Sequence, residues 1–162
     1  MDINSTLIGI IIIAICVLPI IILSINKKRK NRKNRQLLID FAKEKGCIIH
    51  QYEVCGNYLI GLDEVKNFVF FKSENIQFVD LSEIKNCTIR NFSKRVEGKS
   101  GSYSIPDSLS LCFIPNNKNR SEECFEFFNS DNNSQLVGEL QSIEKWHKII
   151  SQQLKKQSLV VI

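Results

Sequence analysis

The sequence predicts an α+β fold: an N-terminal transmembrane helix, then an antiparallel split barrel of about seven strands, capped by a C-terminal amphipathic helix. Three observations carry this prediction. Residues 7–25 form an apolar run without a charge, the middle of the chain places apolar residues at every second position, and residues 134–156 return to helical spacing. A helix with a wide apolar stripe can cover the open end of a strongly bent sheet.

The apolar run at residues 7–25 spans roughly 28 Å as a helix, close to the hydrocarbon thickness of a bilayer, which is about 30 Å. It lacks the polar stripe that a core helix shows, and membrane helices tolerate a proline such as Pro19. A cleaved signal peptide would need a basic start and a small-residue cleavage site. This chain instead begins MDINST and continues LSINKKRK, so we expect a retained single-pass anchor.

Basic residues follow the apolar run directly, and none precedes it. Because such residues stay on the cytoplasmic side, we expect the N-terminus outside and the domain in the cytoplasm, at the inner membrane. The cluster can also touch anionic head groups, or act only as a topology signal. Its members are candidate membrane-surface residues: Lys27, Lys28, Arg29, Lys30, Arg32, Lys33 and Arg35.

The net positive charge of the chain comes from this basic segment. The whole chain has 22 basic and 17 acidic residues, a net charge of +5. Without the seven cations of the cluster and without Asp2, 15 basic and 16 acidic residues remain, a net charge of −1. A nucleic-acid-binding domain carries its own basic face, so we expect no nucleic-acid partner.

The six cysteines predict free thiols rather than disulfides. Cys16 lies in the apolar run, and no C-x-x-C pair occurs among the other five: Cys47, Cys55, Cys87, Cys112 and Cys124. An odd, scattered set in a cytoplasmic domain is typical of buried thiols. Disulfides are expected only if the predicted topology is reversed.

The elements of the domain follow from periodicity and turn residues. A basic stalk helix is expected over residues 26–46, with Gly46 as its end. Strands are expected at residues 48–54, 58–63, 67–73, 76–81, 83–92, 109–115 and 123–130. The polar residues 93–108 predict a long loop or mobile hairpin, whose cations Lys94, Arg95 and Lys99 are further candidate membrane-surface residues.

The last element is an amphipathic helix over residues 134–156, started by Asp131 or Asn133. Trp146 is expected to pack it onto the strands. Its apolar stripe holds Leu136, Leu140, Ile143, His147, Ile150 and Leu154. The predicted organisation is therefore a short N-terminus at 1–6, a transmembrane helix at 7–25, a stalk at 26–46, a folded domain at 47–157 and a tail at 158–162.

Three segments carry a resemblance: "IGLDEVKNFVFF", "VDLSEIKNCTI" and "GELQSIEKWHKII". They resemble membrane-anchored bacterial proteins, found especially in Bacteroidetes, that have a pleckstrin-homology-like domain and no assigned activity. The resemblance covers roughly residues 37–155 and implies the pleckstrin-homology superfold. Members of that superfold that bind phosphoinositides cluster basic residues around the first strand–strand loop. Here that loop is "CGN", without Lys or Arg, which argues against head-group recognition.

No residue pattern predicts catalysis, a cofactor or a metal. His50 and His147 are the only histidines, and H-x-x-x-H, C-x-x-C and G-x-S-x-G spacings do not occur. An enzyme would need one of these histidines beside a carboxylate in a cleft. We therefore expect a membrane-anchored interaction or scaffold domain, which binds an unidentified protein partner through an open strand edge or a helix groove. The alternative is an electrostatic module that binds the lipid surface of the inner leaflet.

Overall fold

The computed structural model describes the backbone of residues 3–98, 101–132 and 135–160, with side chains from Ile15 onward except at positions 96, 98, 103 and 158–160. Its contacts divide the chain into two compact units, Met1–Leu37 and Leu38–Ile162. The first unit is the N-terminal part of a long helix. The second contains the end of that helix, both sheets and a second helix.

The first helix, α1, runs from Ile3 to Glu44 and contains Pro19. It passes through the basic cluster, as the predicted stalk requires. Gly46 follows it with a φ of 71°, and its N–H donates to the Lys43 carbonyl at 2.8 Å. Because glycine adopts this left-handed conformation without a steric cost, the predicted end of the stalk helix is confirmed.

The predicted membrane anchor at residues 7–25 is contradicted. Among the described residues, no helix is long and apolar enough to cross a membrane. The prediction of a single-pass protein of the inner membrane, with its N-terminus outside and its domain in the cytoplasm, is wrong on this finding.

Seven strands and a second helix follow α1 in the described part of the chain, so the predicted α+β class is confirmed. The elements are β1 (Gln51–Cys55), β2 (Tyr58–Asp63), β3 (Phe68–Lys72), β4 (Ile76–Asp80), a 3₁₀ turn (Leu81–Glu83), β5 (Ile84–Gly98), β6 (Gly101–Pro115), β7 (Glu123–Asn129) and α2 (Glu139–Val160). The strands form two antiparallel sheets, in the orders β1-β2-β3-β4 and β5-β6-β7. Among the described residues, no strand pairing joins the two sheets. The finer prediction of a split barrel therefore stays a prediction.

The four-stranded sheet is covered on both faces, and for this reason all six residues of β2 are buried. One face joins the main core with the other sheet and α2, through residues that include Ile60, Phe71, Leu111, Phe125, Ile143 and Trp146. The other face packs against the end of α1 through Leu38, Ala42, Cys47, Leu59 and Phe70. Gly61 permits this close packing, because a Cβ there would lie 2.9 Å from Cγ2 of Ile49.

The described part of residues 93–108, predicted to be a long loop or mobile hairpin, forms a paired β-ribbon. β5 and β6 have 15 residues each and stay paired as far as Gly98 and Gly101. β7 pairs with β6 only between Ser108 and Phe113. Beyond that point the ribbon has no third strand among the described residues, so neither face has to be apolar. The sequence therefore lacks the alternation that reveals a half-buried strand.

Helix α2 starts at Glu139, later than predicted. Gly138 has a φ of 98°, and its carbonyl accepts a hydrogen bond from the Ser142 N–H at 3.0 Å. Asp131 therefore does not cap the helix, and Asn133 lies outside the described residues. Of the predicted stripe, Ile143 and Ile150 are buried, His147 and Leu154 are half-buried, Leu140 is exposed and Leu136 precedes the helix. Trp146 is buried in the main core, as predicted.

Cys112 and Cys124 form a disulfide, which corrects the prediction that all cysteines are free. The two residues face each other in the register of β6 and β7, with their Cα atoms 4.1 Å apart. The free cysteines are Cys16, Cys47, Cys55 and Cys87. Counting cysteines and their spacing cannot reveal this pair, because only the strand register brings the two residues opposite each other.

Candidate functional site

An open cavity of about 1010 Å³ lies beside the C-terminal half of α2. It is lined by residues 151 and 153–157 of α2, by residues 84–86 of β5, and by Glu64, Asn67, Ser82 and Asn116. We call this cavity the α2–β5 groove. Its volume is in the range of protein ligand sites, and all of its lining belongs to the second unit.

Hydrogen bonds between distant segments hold the groove in shape. Gln153 is buried, and its Nε2 donates to the Glu64 carbonyl at 2.7 Å and to Asn67 Oδ1 at 2.6 Å. This amide ties α2 to the turn between β2 and β3. Asn116 donates its backbone N–H to the Glu83 carbonyl at 2.8 Å, which ties the end of β6 to the 3₁₀ turn. The groove is therefore preformed.

An irregularity at the start of β5 brings a lysine to the groove. The register with β6 shifts between Ile84 and Asn86, so Lys85 has no cross-strand partner there. Such bulges turn a side chain away from the regular alternation. The Lys85 side chain is exposed and lines the groove.

Helix α2 blocks the free edge of β5 next to the groove. His147 Nε2 lies 3.0 Å from the Cys87 carbonyl oxygen, and because that oxygen can only accept, Nε2 carries the hydrogen. The Cys87 N–H donates to Oδ1 of Asn86 at 2.9 Å. Both polar backbone groups of Cys87 are therefore satisfied within the chain, which protects this edge from pairing with another strand.

Basic and amide side chains dominate the groove. Lys85, Lys155 and Lys156 are exposed residues of its lining, whereas Glu64 is the only carboxylate residue in it. Nε2 of Gln157 is buried and has no hydrogen-bond acceptor among the described residues. The groove therefore presents positive charge and an unused hydrogen-bond donor.

Among the residues that the structure describes, His50 and Asp63 are the one histidine–carboxylate pair brought together, with Nδ1 of His50 and Oδ1 of Asp63 3.6 Å apart. Asp63 is 1% exposed. Its Oδ1 accepts from the N–H groups of Val65 and Lys66, each at 2.9 Å, and its Oδ2 from that of Ile48 at 2.7 Å. Burial alone would raise the pKa of Asp63, but these three hydrogen bonds lower it. The carboxylate therefore organises the backbone, and the pair does not support catalysis.

Glu53 connects β1 to α2. Its Oε2 accepts from Nζ of Lys145 at 2.6 Å and from Nε1 of Trp146 at 3.2 Å. Burial alone would raise the pKa of Glu53, but the hydrogen bond and charge of Lys145 outweigh it, so the pKa is lowered. This contact satisfies the indole N–H of Trp146, which is fully buried. Trp146 therefore packs in the core without an unpaired donor.

The described free thiols in the folded core are poor nucleophiles. Burial raises the pKa of Cys87 to about 12 and also raises the pKa of Cys47 and of Cys55. The thiolate is the reactive form of cysteine, so none of these residues is activated. Among the described residues, no three His, Cys, Asp or Glu side chains converge as possible metal ligands.

The candidate membrane-surface residues belong to two different units of the chain. The seven cations of the basic cluster lie on α1 in the first unit. Lys94 and Arg95 lie on β5 in the second unit, and Lys99 lies outside the described residues. Nζ of Lys94 is 2.6 Å from Oδ1 of Asp107, a hydrogen bond that raises the pKa of Lys94. Because Asp107 balances this charge locally, the lipid-surface hypothesis gains no support here.

Sequence reasoning missed the groove. Lys85, Lys155 and Lys156 were not among the candidate site residues. No local motif joins these lysines, because the groove combines positions that are separated by up to 93 residues, from Glu64 to Gln157. Comparison of the chain with protein-family models, with curated proteins and with solved structures gives no match. The pleckstrin-homology resemblance and the function therefore stay predictions.

Proposed function

We propose that this chain is an interaction module without catalytic activity, and that its folded domain binds a protein partner in the α2–β5 groove. The observation that carries the proposal is the groove itself: about 1010 Å³, open, and held in shape by the Gln153 hydrogen bonds. Its lining combines polar, basic and apolar side chains, as binding sites do. No activated nucleophile or converging metal ligands accompany it among the described residues.

The same proposal includes a pleckstrin-homology-like architecture. Sheets of four and three strands in sequential order, followed by a C-terminal helix, agree with the arrangement that the resemblance implies. The main core draws side chains from both sheets and from α2. This packing supports one domain in which the helix closes the space between the sheets.

The groove is favoured over the β5 edge as the binding surface. Adding a strand to β5 at Cys87 would require the His147 hydrogen bond to break, because that bond already uses the outward carbonyl. A ligand in the groove displaces no described hydrogen bond of this edge. Of the two binding modes that the sequence predicts, binding in the helix groove therefore has the lower free-energy cost.

Site-specific photo-crosslinking of the full-length chain in its native cells tests this proposal. A photoreactive residue replaces Lys156, which lines the groove, or Lys148, which is equally exposed on α2 but does not line it. We expect a crosslinked protein at position 156, identified by mass spectrometry, and none at position 148. The purified partner should then bind the chain, and Ser151→Trp, which fills the groove, should weaken that binding at least about tenfold.

Equal crosslinking at both positions, or binding of the purified partner that Ser151→Trp leaves unchanged, would refute the groove as the binding surface. Circular dichroism of the Ser151→Trp chain shows whether the substitution leaves the fold intact. Lys148→Trp is the matched control, since it adds the same bulk to α2 outside the groove.

A further inference from the structure

We propose that the α2–β5 groove selects an acidic segment of its protein partner, in which carboxylates face Lys85 and Lys156. This inference rests on the proposed function, since it specifies the partner of the same groove. Three features of the groove support it: the charge of its lining, one unused hydrogen-bond donor and its size.

The charge of the groove is positive although that of the domain is not. Three lysines outnumber the one carboxylate, Glu64, among the lining residues. Among the described residues, no ion pair joins Lys85 or Lys156 to an acidic side chain. Charges that are not already balanced attract an oppositely charged ligand and favour it over a neutral one.

The amide of Gln157 adds a requirement for an acceptor. Its Nε2 is buried and donates to no described atom, and a buried donor without a partner is energetically costly. Gln153, one helical turn earlier, uses its Nε2 within the fold. A carbonyl or carboxylate oxygen of a ligand would remove the cost at Gln157, so this nitrogen is a second observation that points to an oxygen-bearing ligand.

The groove suits a protein segment better than a phosphate group. Its volume of about 1010 Å³ exceeds what one small anion fills. Glu64 repels a multiply charged phosphate, whereas a peptide can keep its carboxylates on the lysine side. Ile84 and Leu154 add apolar surface for the other side chains of the segment.

Peptide display tests the inference with the full-length chain. A random peptide library is selected on the wild-type chain, on Lys85→Glu/Lys156→Glu, and on Lys148→Glu/Lys118→Glu, which reverses two exposed charges outside the groove. We expect enrichment of Asp and Glu in peptides selected by the wild-type chain and by the control. Fluorescence anisotropy of the best peptide should show at least about tenfold weaker binding to the groove variant and a loss with increasing salt.

The outcomes separate this inference from the proposed function. Neutral peptides that bind the wild-type chain and are blocked by Ser151→Trp would overturn the acidic preference but keep the groove as a binding site. Peptides that ignore Ser151→Trp, or no selected peptide at all, would overturn both. Displacement of the peptide by inorganic phosphate, or groove-dependent binding to vesicles of anionic lipid, would assign the groove to phosphate or membrane ligands instead and overturn the inference.

Discussion

At the scale of single residues, Asp63 shows how a buried charge can be structural. Its carboxylate accepts hydrogen bonds from three backbone N–H groups. That of Ile48 precedes β1 in the sequence, and those of Val65 and Lys66 follow β2. Hydrogen bonds to a charged group contribute about 1.5–3 kcal/mol each when they replace water. The carboxylate therefore fixes the turn after β2 and the segment that leads from α1 into the sheet.

Replacing Asp63 with asparagine should destabilise the domain. Asparagine keeps one acceptor oxygen and loses the negative charge, so we expect the free energy of unfolding to fall by about 2 kcal/mol at pH 7. Urea unfolding followed by the fluorescence of Trp146 measures it. The control is Asp80→Asn, because Asp80 caps the 3₁₀ turn at a more exposed position, and its loss should cost less, about 1 kcal/mol.

The difference in unfolding free energy between the wild-type chain and Asp63→Asn should depend on pH. The pKa of Asp63 is lowered in the folded state, so its contribution is complete above the unfolded pKa, about 3.9, and is lost as the pH falls through the folded pKa. The difference in unfolding free energy between wild type and Asp63→Asn should therefore be constant near neutrality and shrink in acid. Equal stability of the two chains at pH 7 would contradict the role given to Asp63.

At the scale of elements, the disulfide between β6 and β7 has a measurable effect. It closes a loop over a sequence separation of 12 residues, and a loop of this size contributes about 2–3 kcal/mol by restricting the unfolded chain. We expect reduction, or Cys112→Ser/Cys124→Ser, to lower the melting temperature. Cys16→Ser, which removes a free exposed thiol, should leave it unchanged.

Thiol counting gives the independent check on this pair. The unreduced, denatured chain should react with four equivalents of a thiol reagent, for Cys16, Cys47, Cys55 and Cys87, and the reduced chain with six. Six reactive thiols before reduction would show that the pair is open in solution.

Elements with a buried face were predictable from the sequence, and the others were not. β2 was predicted at its observed bounds because Tyr58–Asp63 lies between a glycine turn and a polar turn. The ribbon ends of β5 and β6 were predicted only as a long loop or mobile hairpin, because they have no buried face to produce an alternating pattern. The start of α2 was placed too early because Leu136 continues the helical spacing, although Gly138 interrupts the helix.

The candidate site could not be predicted, for a related reason. Local sequence signals report which residues are buried together within one element, whereas the groove depends on where Glu64, Lys85 and Gln157 come together in the fold. The predicted membrane span is the opposite case. The apolar run at residues 7–25 was a strong local signal, but the described part of α1 does not support a span.

At the scale of the whole molecule, the folded unit combines two sheets and α2 around one core. The features that could carry chemistry are used inside the fold: Asp63 binds backbone, Glu53 binds Lys145 and Trp146, and Cys87 is buried. Among the described residues, the α2–β5 groove with Lys85 and Lys156 is open to a ligand. This division supports a binding module rather than an enzyme.

The most direct test of that central claim is a map of amide shifts in the NMR spectrum of the full-length chain, as a peptide selected by the chain is added. The account predicts that the largest changes fall at residues 82–86 and 151–157, which border the groove, with little change on the ribbon around Lys94 and Arg95. Changes centred on the ribbon or on β1, with the groove amides unmoved, would contradict it.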